Sequence, residues 1–198
     1  MPPDSNMAFV LVQHLDPKHP SILAELVRPH TTMPVVDIED GMTVERNTVY
    51  VMPPNTNVAL LHDTLHLMEP VDKQGKRMPV DFLFRSLADD QGERAIGIVL
   101  SGTGTDGTLG IKAIKEKGGL VLVEDPETAE YSGMPKSAMS TGMVDYAAPG
   151  EQLPTELLKY FDHMLHTTHQ NRQTLAFWRD DLLQKISIIL RAEKGHDF

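Results

Sequence analysis

The residues best suited to chemistry in this 198-residue chain lie in one glycine-rich turn that holds a single carboxylate. The turn, Ser101–Gly107, follows the β-branched apolar run Ile96–Leu100 and precedes Leu109–Lys117, which has helical spacing. This order predicts a buried strand, a turn and a helix, and α/β proteins gather ligands and catalytic groups at such strand ends. Asp106 is therefore the first candidate for a catalytic or binding role.

The glycine spacing of this turn fits the fingerprint of a dinucleotide-binding loop. Gly102, Gly104 and Gly107 form the pattern G-x-G-x-x-G between the predicted strand and helix, the context in which such loops bind NAD. Asp106 opposes this interpretation, because a carboxylate about 4 Å from a phosphate costs on the order of 4 kcal/mol at a surface-like dielectric. A purely structural interpretation is a tight turn in which Asp106 caps the helix that follows.

A histidine offers Asp106 a different chemistry. His14 lies two residues beyond the predicted strand Ala8–Val12, so we expect it at the same edge of the sheet as Asp106. An acidic group that orients an imidazole, which in turn activates a hydroxyl, is the logic of a Ser-His-Asp hydrolase. A single histidine is most often solvated or hydrogen-bonded without a catalytic role, so its position is what favours His14.

The rest of the sequence predicts the elements that position these two residues. Two apolar runs on either side of His62–Asp63 predict an inserted β-hairpin. Strands and helices alternate along the chain, which predicts an α/β fold with a doubly wound, mostly parallel, Rossmann-like sheet, helices on both faces and a C-terminal helical extension. The other predicted strands are Val35–Ile38, Thr48–Met52, Leu120–Val123 and Val144–Ala147, and the other predicted helices are Ile22–Val27, Val80–Ala88 and Lys136–Ser140.

Composition excludes several classes of function. The net charge of −10 disfavours nonspecific nucleic-acid binding, and no cysteine is present for a thiolate nucleophile or metal ligand. No apolar run approaches the roughly 20 residues that span a bilayer, and the N-terminus does not resemble a secretory signal, so we expect a cytoplasmic protein without membrane insertion. His163, His166 and His169 would spread over about a third of a helix circumference without a nearby carboxylate. We therefore predict neither a metal nor a cofactor.

Three short motifs, taken together, carry a family resemblance. They are Val12-Gln13-His14, Leu100-Ser101-Gly102-x-Gly104-x-Asp106-Gly107 and Gly133-Met134-Pro135-Lys136-Ser137-Ala138. In this order and spacing they resemble the chemotaxis-type protein-glutamate methylesterase domain, over about Met1 to Pro149. The resemblance implies a serine hydrolase on a doubly wound parallel sheet, which removes methyl esters from receptor glutamates and in some members deamidates receptor glutamines.

The resemblance also implies roles for individual residues. His14 matches the histidine of the catalytic triad and Asp106 matches its aspartate. Within the glycine turn, between Gly102 and Gly104, Thr103 matches a position that is often methionine and borders the active site. Gly133, Met134 and Pro135 match a further loop near the site.

No serine of the chain matches the nucleophile. In the family this serine follows the first, central strand in a turn of glycines, and no such strand and turn precede His14 here. Ser5 has neither a preceding strand nor a glycine turn, and Ser101 matches a residue that lines the turn. We therefore expect a domain that lacks its first strand and nucleophile, has little activity alone and is prone to self-association, because the neighbouring strands lose their partner.

The ends of the resemblance suggest a fusion protein. Two stretches, 90–110 and 121–138, are similar to the branch in which the methylesterase is fused to the opposing methyltransferase, and Arg191–Phe198 resembles the start of a methyltransferase domain. We predict a methylesterase-like domain at 1–150 and a helical connector at 151–198. The implied partners are a methyl-accepting receptor and the adjacent methyltransferase domain. The alternative is a noncatalytic interaction or regulatory module of such a fusion.

Overall fold

The computed structural model describes residues 1–13, 22–69 and 77–161, which form an α/β fold. Its strands are β1 (Phe9–Leu11), β2 (Val35–Asp37), β3 (Met42–Thr43), β4 (Val49–Val51), β5 (Asn57–Leu61), β6 (Thr64–Met68), β7 (Ile96–Val99), β8 (Leu120–Glu124) and β9 (Tyr146–Ala148). Its helices are α1 (Leu23–Val27), α2 (Pro79–Gln91), α3 (Thr108–Glu116), α4 (Gly133–Met139) and a further helix at 153–161, with short 3₁₀ turns at Arg28–His30, Gly92–Arg94 and Gly150–Gln152.

Two of the sheets are parallel, which confirms the predicted fold class. One has the order β1-β4-β2 and the other the order β7-β8-β9, and every pairing in them is parallel. Their central strands, β4 and β8, are apolar runs buried along nearly their whole length. Such runs are typical of parallel strands, which are covered on both faces. Among the described strands, β1 pairs only with β4, and β7 only with β8.

The predicted hairpin is confirmed as β5 and β6. Leu61 pairs with Thr64, so His62 and Asp63 form a two-residue turn. Both turn residues have positive φ, 51° and 56°, as the type I′ turn of tight hairpins requires. A third strand, β3, pairs with β6 to complete an antiparallel sheet. The sequence did not predict β3, because two residues are too few to show a periodic pattern.

Helices α2 and α3 pack closely because glycines line their contact. A Cβ on Gly110 of α3 would lie 2.4 Å from the Cβ of Phe84 on α2, and one on Gly97 of β7 would lie 2.7 Å from Cδ1 of Ile114. Real Cβ atoms do not approach that closely. Glycine is therefore needed at position 110, whereas at position 97 the end of the Ile114 side chain would have to shift. The shared core also contains Val80, Ala88, Ala95, Val99, Ile111, Val121, Val123 and Ala138. This packing places the N-terminus of α2 beside the glycine-rich turn that precedes α3.

The chain divides into two compact units, Met1–Leu153 and Pro154–Phe198. Of the second unit the structure describes residues 154–161, which are helical. The remainder of the predicted connector, from residue 162 onward, lies outside the described residues. None of the described helices has the length and apolar character needed to cross a lipid bilayer.

Candidate active site

Asp106 lies buried at the carboxyl end of β7, with 5% of its surface exposed. Its carboxylate accepts three backbone hydrogen bonds. Val80 N–H donates to Oδ2 at 3.0 Å, while the N–H groups of Asp81 and Gly107 donate to Oδ1 at 2.9 and 2.8 Å. These bonds to both carboxylate oxygens fix the direction of the Asp106 side chain.

The helix capped by Asp106 is α2, and not the helix that follows it in sequence. Pro79 occupies the first position of α2, and its N-cap residue, Met78, makes no capping hydrogen bond through its side chain. Asp106 supplies that cap from a loop about 25 residues away in sequence, at the helix end where negative charge is favourable. The structural interpretation of Asp106 as the cap of α3 is therefore wrong, since the N-cap of α3 is Gly107, which makes no side-chain cap.

A second buried carboxylate, Asp81, lies beside Asp106 and was missed by the sequence analysis. Its side chain is on the first turn of α2, and its Oδ1 accepts a hydrogen bond from Gly110 N–H of α3 at 2.7 Å. Burial raises the pKa of Asp81, and the neighbouring Asp106 carboxylate raises it further, against the opposing effect of the bond from Gly110. The sequence does carry a signal for this residue. Asp81 lies three residues before Phe84 and seven before Ala88, which places an acidic side chain on the buried face of an amphipathic helix.

The glycine-rich turn requires glycine at several of its positions. Gly104 and Gly107 have φ of +88° and +91°, a region that other L-residues rarely adopt. A Cβ on Gly102 would lie 2.5 Å from Sδ of Met134, so any side chain there would displace that methionine. Thr103 is exposed between them, at the surface of the turn.

The Gly133–Pro135 segment is held directly against this turn. Gly102 N–H donates to the Tyr131 carbonyl and Met134 N–H donates to the Gly102 carbonyl, both at 2.8 Å. A Cβ on Gly133 would lie 3.0 Å from the backbone nitrogen of Gly104, which explains why glycine is needed there. The structure thus brings the predicted turn and loop residues together.

This segment forms the first turn of α4, whereas the sequence predicted a loop that leads into a helix at Lys136. Pro135 lies in the first turn of α4, where a backbone N–H has no intrahelical acceptor and proline is tolerated. Pro135 is buried, and Ser137 donates a hydrogen bond from its hydroxyl to the Gly104 carbonyl at 3.0 Å. The start of α4 is therefore part of the wall beside the glycine turn.

The structure describes both serines that were considered as nucleophiles, Ser5 and Ser101. The Ser101 hydroxyl accepts a hydrogen bond from Tyr131 N–H at 2.7 Å, and its backbone N–H donates to Glu124, so the residue joins two loops. Ser5 lies before the amino end of β1, where Asn6 N–H bonds Asn47. His14 follows the carboxyl end of β1 in sequence and lies outside the described residues, as do His163, His166 and His169.

The same contacts disfavour a dinucleotide at this turn. A pyrophosphate would need the backbone N–H groups at the N-terminus of α3, and the Gly110 N–H already donates to Asp81. Two carboxylates, Asp81 and Asp106, are buried where the phosphates would bind. Among the described residues no group of three or more His, Asp or Glu side chains is arranged to hold a metal ion.

Comparison with known proteins identifies the family. The sequence profile described as CheB methylesterase matches residues 1–157. The chain belongs to the CheB methylesterase family. The crystal structure of the Thermotoga maritima CheB methylesterase catalytic domain superimposes with a TM-score of 0.74 at 31% identity, over 81% of this chain and 87% of that one.

Two longer proteins match most of this chain in sequence. The Pyrococcus horikoshii protein-glutamate methylesterase/protein-glutamine glutaminase is 34% identical over 165 residues, which cover 80% of this chain and 44% of that protein. An uncharacterized 104.1 kDa protein of Rhodobacter capsulatus is 41% identical over 138 residues, which cover 70% of this chain and 14% of that protein. The chain therefore spans less than half the length of either relative.

Proposed function

We propose that this CheB-family chain belongs to a protein-glutamate methylesterase, a serine hydrolase that removes methyl esters from the glutamates of methyl-accepting receptors. The observation that carries the proposal is the Asp106 carboxylate, which three backbone N–H groups hold at the carboxyl end of β7. A fixed, buried carboxylate of this kind is what a catalytic imidazole needs for orientation. The name of the Pyrococcus horikoshii relative supports the same activity and adds glutamine deamidation as a second reaction.

In the proposed mechanism His14 is the general base and Asp106 orients it. The serine hydroxyl attacks the ester carbonyl while the imidazole takes its proton, and backbone N–H groups stabilise the oxyanion. The imidazolium, which Asp106 stabilises, then gives its proton to the departing methanol. Water hydrolyses the acyl-enzyme by the same route. The exposed Thr103 and the wall formed by Gly133 and Met134 border this site in the proposal.

The nucleophile of this reaction is proposed to lie outside the 198 residues. No serine of the chain is followed by two glycines, as the family's nucleophile is. The edge positions of β1 and β7 support the same proposal, because each strand bonds on one side only among the described strands. A strand placed between them would satisfy both edges. We therefore expect residues 1–198 alone to self-associate, which light scattering at increasing concentration would detect as a rising mass.

The fusion to a methyltransferase is a second part of the proposal. Arg191–Phe198 resembles the start of that domain, and the Rhodobacter capsulatus relative is about seven times longer than the segment matched to this chain. We propose that the whole protein acts in the cytoplasm on the receptor and carries both opposing activities. If the esterase site is inactive, the chain instead serves as a noncatalytic module that binds the receptor or regulates the adjacent methyltransferase domain.

Methanol release from a methylated receptor separates these functions. We expect the whole protein to release methanol, and residues 1–198 alone to release little. The His14→Ala variant of the whole protein should lose the activity, while His62→Ala, in the hairpin turn, serves as the matched histidine control. Release that is absent from the whole protein would leave the noncatalytic module as the function.

A further inference from the structure

Two carboxylates hold the N-termini of α2 and α3 together. Each carboxylate accepts hydrogen bonds from the first turn of the neighbouring helix. Asp106, just before α3, accepts the N–H groups of Val80 and Asp81 on α2. Asp81, on the first turn of α2, accepts the N–H group of Gly110 on α3 at 2.7 Å. The four residues therefore form a closed set of polar contacts between two neighbouring helix ends.

The direction of the Asp106 carboxylate depends on the alignment of these helix ends. Its Oδ1 accepts one N–H from α2, that of Asp81, and one from Gly107, the N-cap residue of α3. A small displacement of α3 along α2 would pull these two donors apart and turn the carboxylate. The bond from Gly110 to Asp81 is one of the polar contacts that oppose such a displacement.

The Asp81 carboxylate adds a directional contact to the apolar packing of these two helices. Gly110 lies against Phe84 without a side chain of its own, so the backbone of α3 comes close enough to α2 for the Gly110 N–H to reach Asp81. A hydrogen bond to a carboxylate is directional and stronger than one between neutral groups. Asp81 therefore adds to this packing a contact that depends on the alignment of the two helix ends.

Burying the Asp81 carboxylate beside a second carboxylate has a free-energy cost. Asp81 is 5% exposed, and it faces the Asp106 carboxylate from the loop before α3 and the Arg85 guanidinium from its own helix. An apolar side chain would fill the same position without the cost of desolvating a second negative charge. The proposed mechanism assigns Asp81 no role in the reaction itself.

We propose that Asp81 is a positioning residue for the proposed triad: its carboxylate fixes the start of α3 against the start of α2 and so fixes the direction of the Asp106 carboxylate. This inference rests on the proposed function, because it takes the pairing of Asp106 with His14 from it. Asp81 touches neither substrate nor reacting atoms in this account.

The test is the pKa of the His14 imidazole, measured by NMR titration of its ring protons in the full chain. Asp106→Asn gives the reference, because loss of an adjacent negative charge lowers the pKa of a histidine. We expect Asp81→Ala to lower the His14 pKa by at least half as much. Asp81→Asn retains an oxygen that accepts the Gly110 N–H, so it should restore most of the wild-type value. Asp89→Asn removes the same charge from an exposed position of α2 and is the matched control.

The outcomes distinguish the inference from the function on which it rests. If Asp106→Asn lowers the His14 pKa and a folded Asp81→Ala variant does not, the positioning role is wrong and the proposed pairing stands. If the His14 pKa fell equally in Asp81→Ala and Asp81→Asn, the positioning role would also be wrong, because the oxygen that accepts the Gly110 N–H would then make no difference. If Asp106→Asn leaves the His14 pKa unchanged, the proposed function itself fails. Should Asp81→Ala not fold, Asp81→Ser, whose hydroxyl is too short to reach Gly110, is judged by the same criteria.

Discussion

Replacing Asp106 by alanine should destabilise the fold by about 3 kcal/mol, apart from any effect on activity. The change leaves three buried N–H groups, those of Val80, Asp81 and Gly107, without their acceptor. Each buried donor without a partner costs roughly 1–3 kcal/mol, and the loss of a helix cap typically costs about 1 kcal/mol. Relief of the repulsion from Asp81 offsets part of that sum. The net figure of about 3 kcal/mol is a large fraction of the stability of a typical domain.

Two further variants make this prediction specific. Asp106→Asn keeps one oxygen that can accept the Asp81 and Gly107 donors and loses the acceptor for Val80, so we expect a cost of about 1–2 kcal/mol. Asp89→Ala removes a carboxylate from the exposed side of α2, where it pairs with Lys117 at 3.0 Å, and should cost less than about 1 kcal/mol. The graded order of the three variants follows directly from the number of donors left unpaired.

Urea unfolding followed by circular dichroism measures these differences. With a slope of about 2 kcal/mol per molar urea, a loss of about 3 kcal/mol lowers the midpoint by about 1.5 M. A loss below about 1 kcal/mol for Asp106→Ala, or one equal to that of Asp89→Ala, would refute the account of Asp106 as the cap of α2. An Asp106→Asn variant less stable than Asp106→Ala would contradict the donor count.

Three further predictions concern the surroundings of this site. Because burial raises the pKa of Asp81 above the ordinary value of an aspartate, the folded state binds the extra proton. The stability of the wild type relative to Asp81→Asn should therefore fall as the pH rises from about 4, and urea midpoints at several pH values would show this. Gly110→Ala should cost about 1–3 kcal/mol in thermal unfolding despite the better helix propensity of alanine, because its Cβ would lie 2.4 Å from Phe84; an unchanged melting temperature would contradict this contact. Replacing His62–Asp63 by Asn-Gly should raise the stability by about 0.5–1 kcal/mol, since both positions have positive φ, and a lower midpoint would contradict the assigned turn.

Elements with a strong local pattern could be predicted from the sequence. The apolar run that forms β7, the helical spacing of α3 and the two runs around His62–Asp63 each carry their own signal, and each element is found within a few residues of its predicted bounds. The parallel character of the sheets followed from the alternation of these elements. The two-residue strand β3 and the start of α4 at Gly133 have no such local signal.

The connections of the candidate site could not be predicted, because they join residues far apart in sequence. Asp106 was singled out by its glycine turn, yet its donors on α2 lie 25 and 26 residues earlier. Asp81 appeared to be one acidic residue among many on helices, and only the close approach of α3 at Gly110 gives it a partner. Which backbone N–H groups a buried carboxylate caps is decided by tertiary packing rather than by local propensity.

The central claim is that Asp106 orients a catalytic histidine, and the rate of methanol release tests it most directly. The measurement compares the whole protein with its Asp106→Asn variant on a methylated receptor, under conditions in which circular dichroism shows both to be folded. The account predicts that the rate falls by about 10³–10⁴-fold, as expected when an imidazole loses the carboxylate that fixes its tautomer. A fall of less than about tenfold would contradict the assignment of Asp106 to the triad.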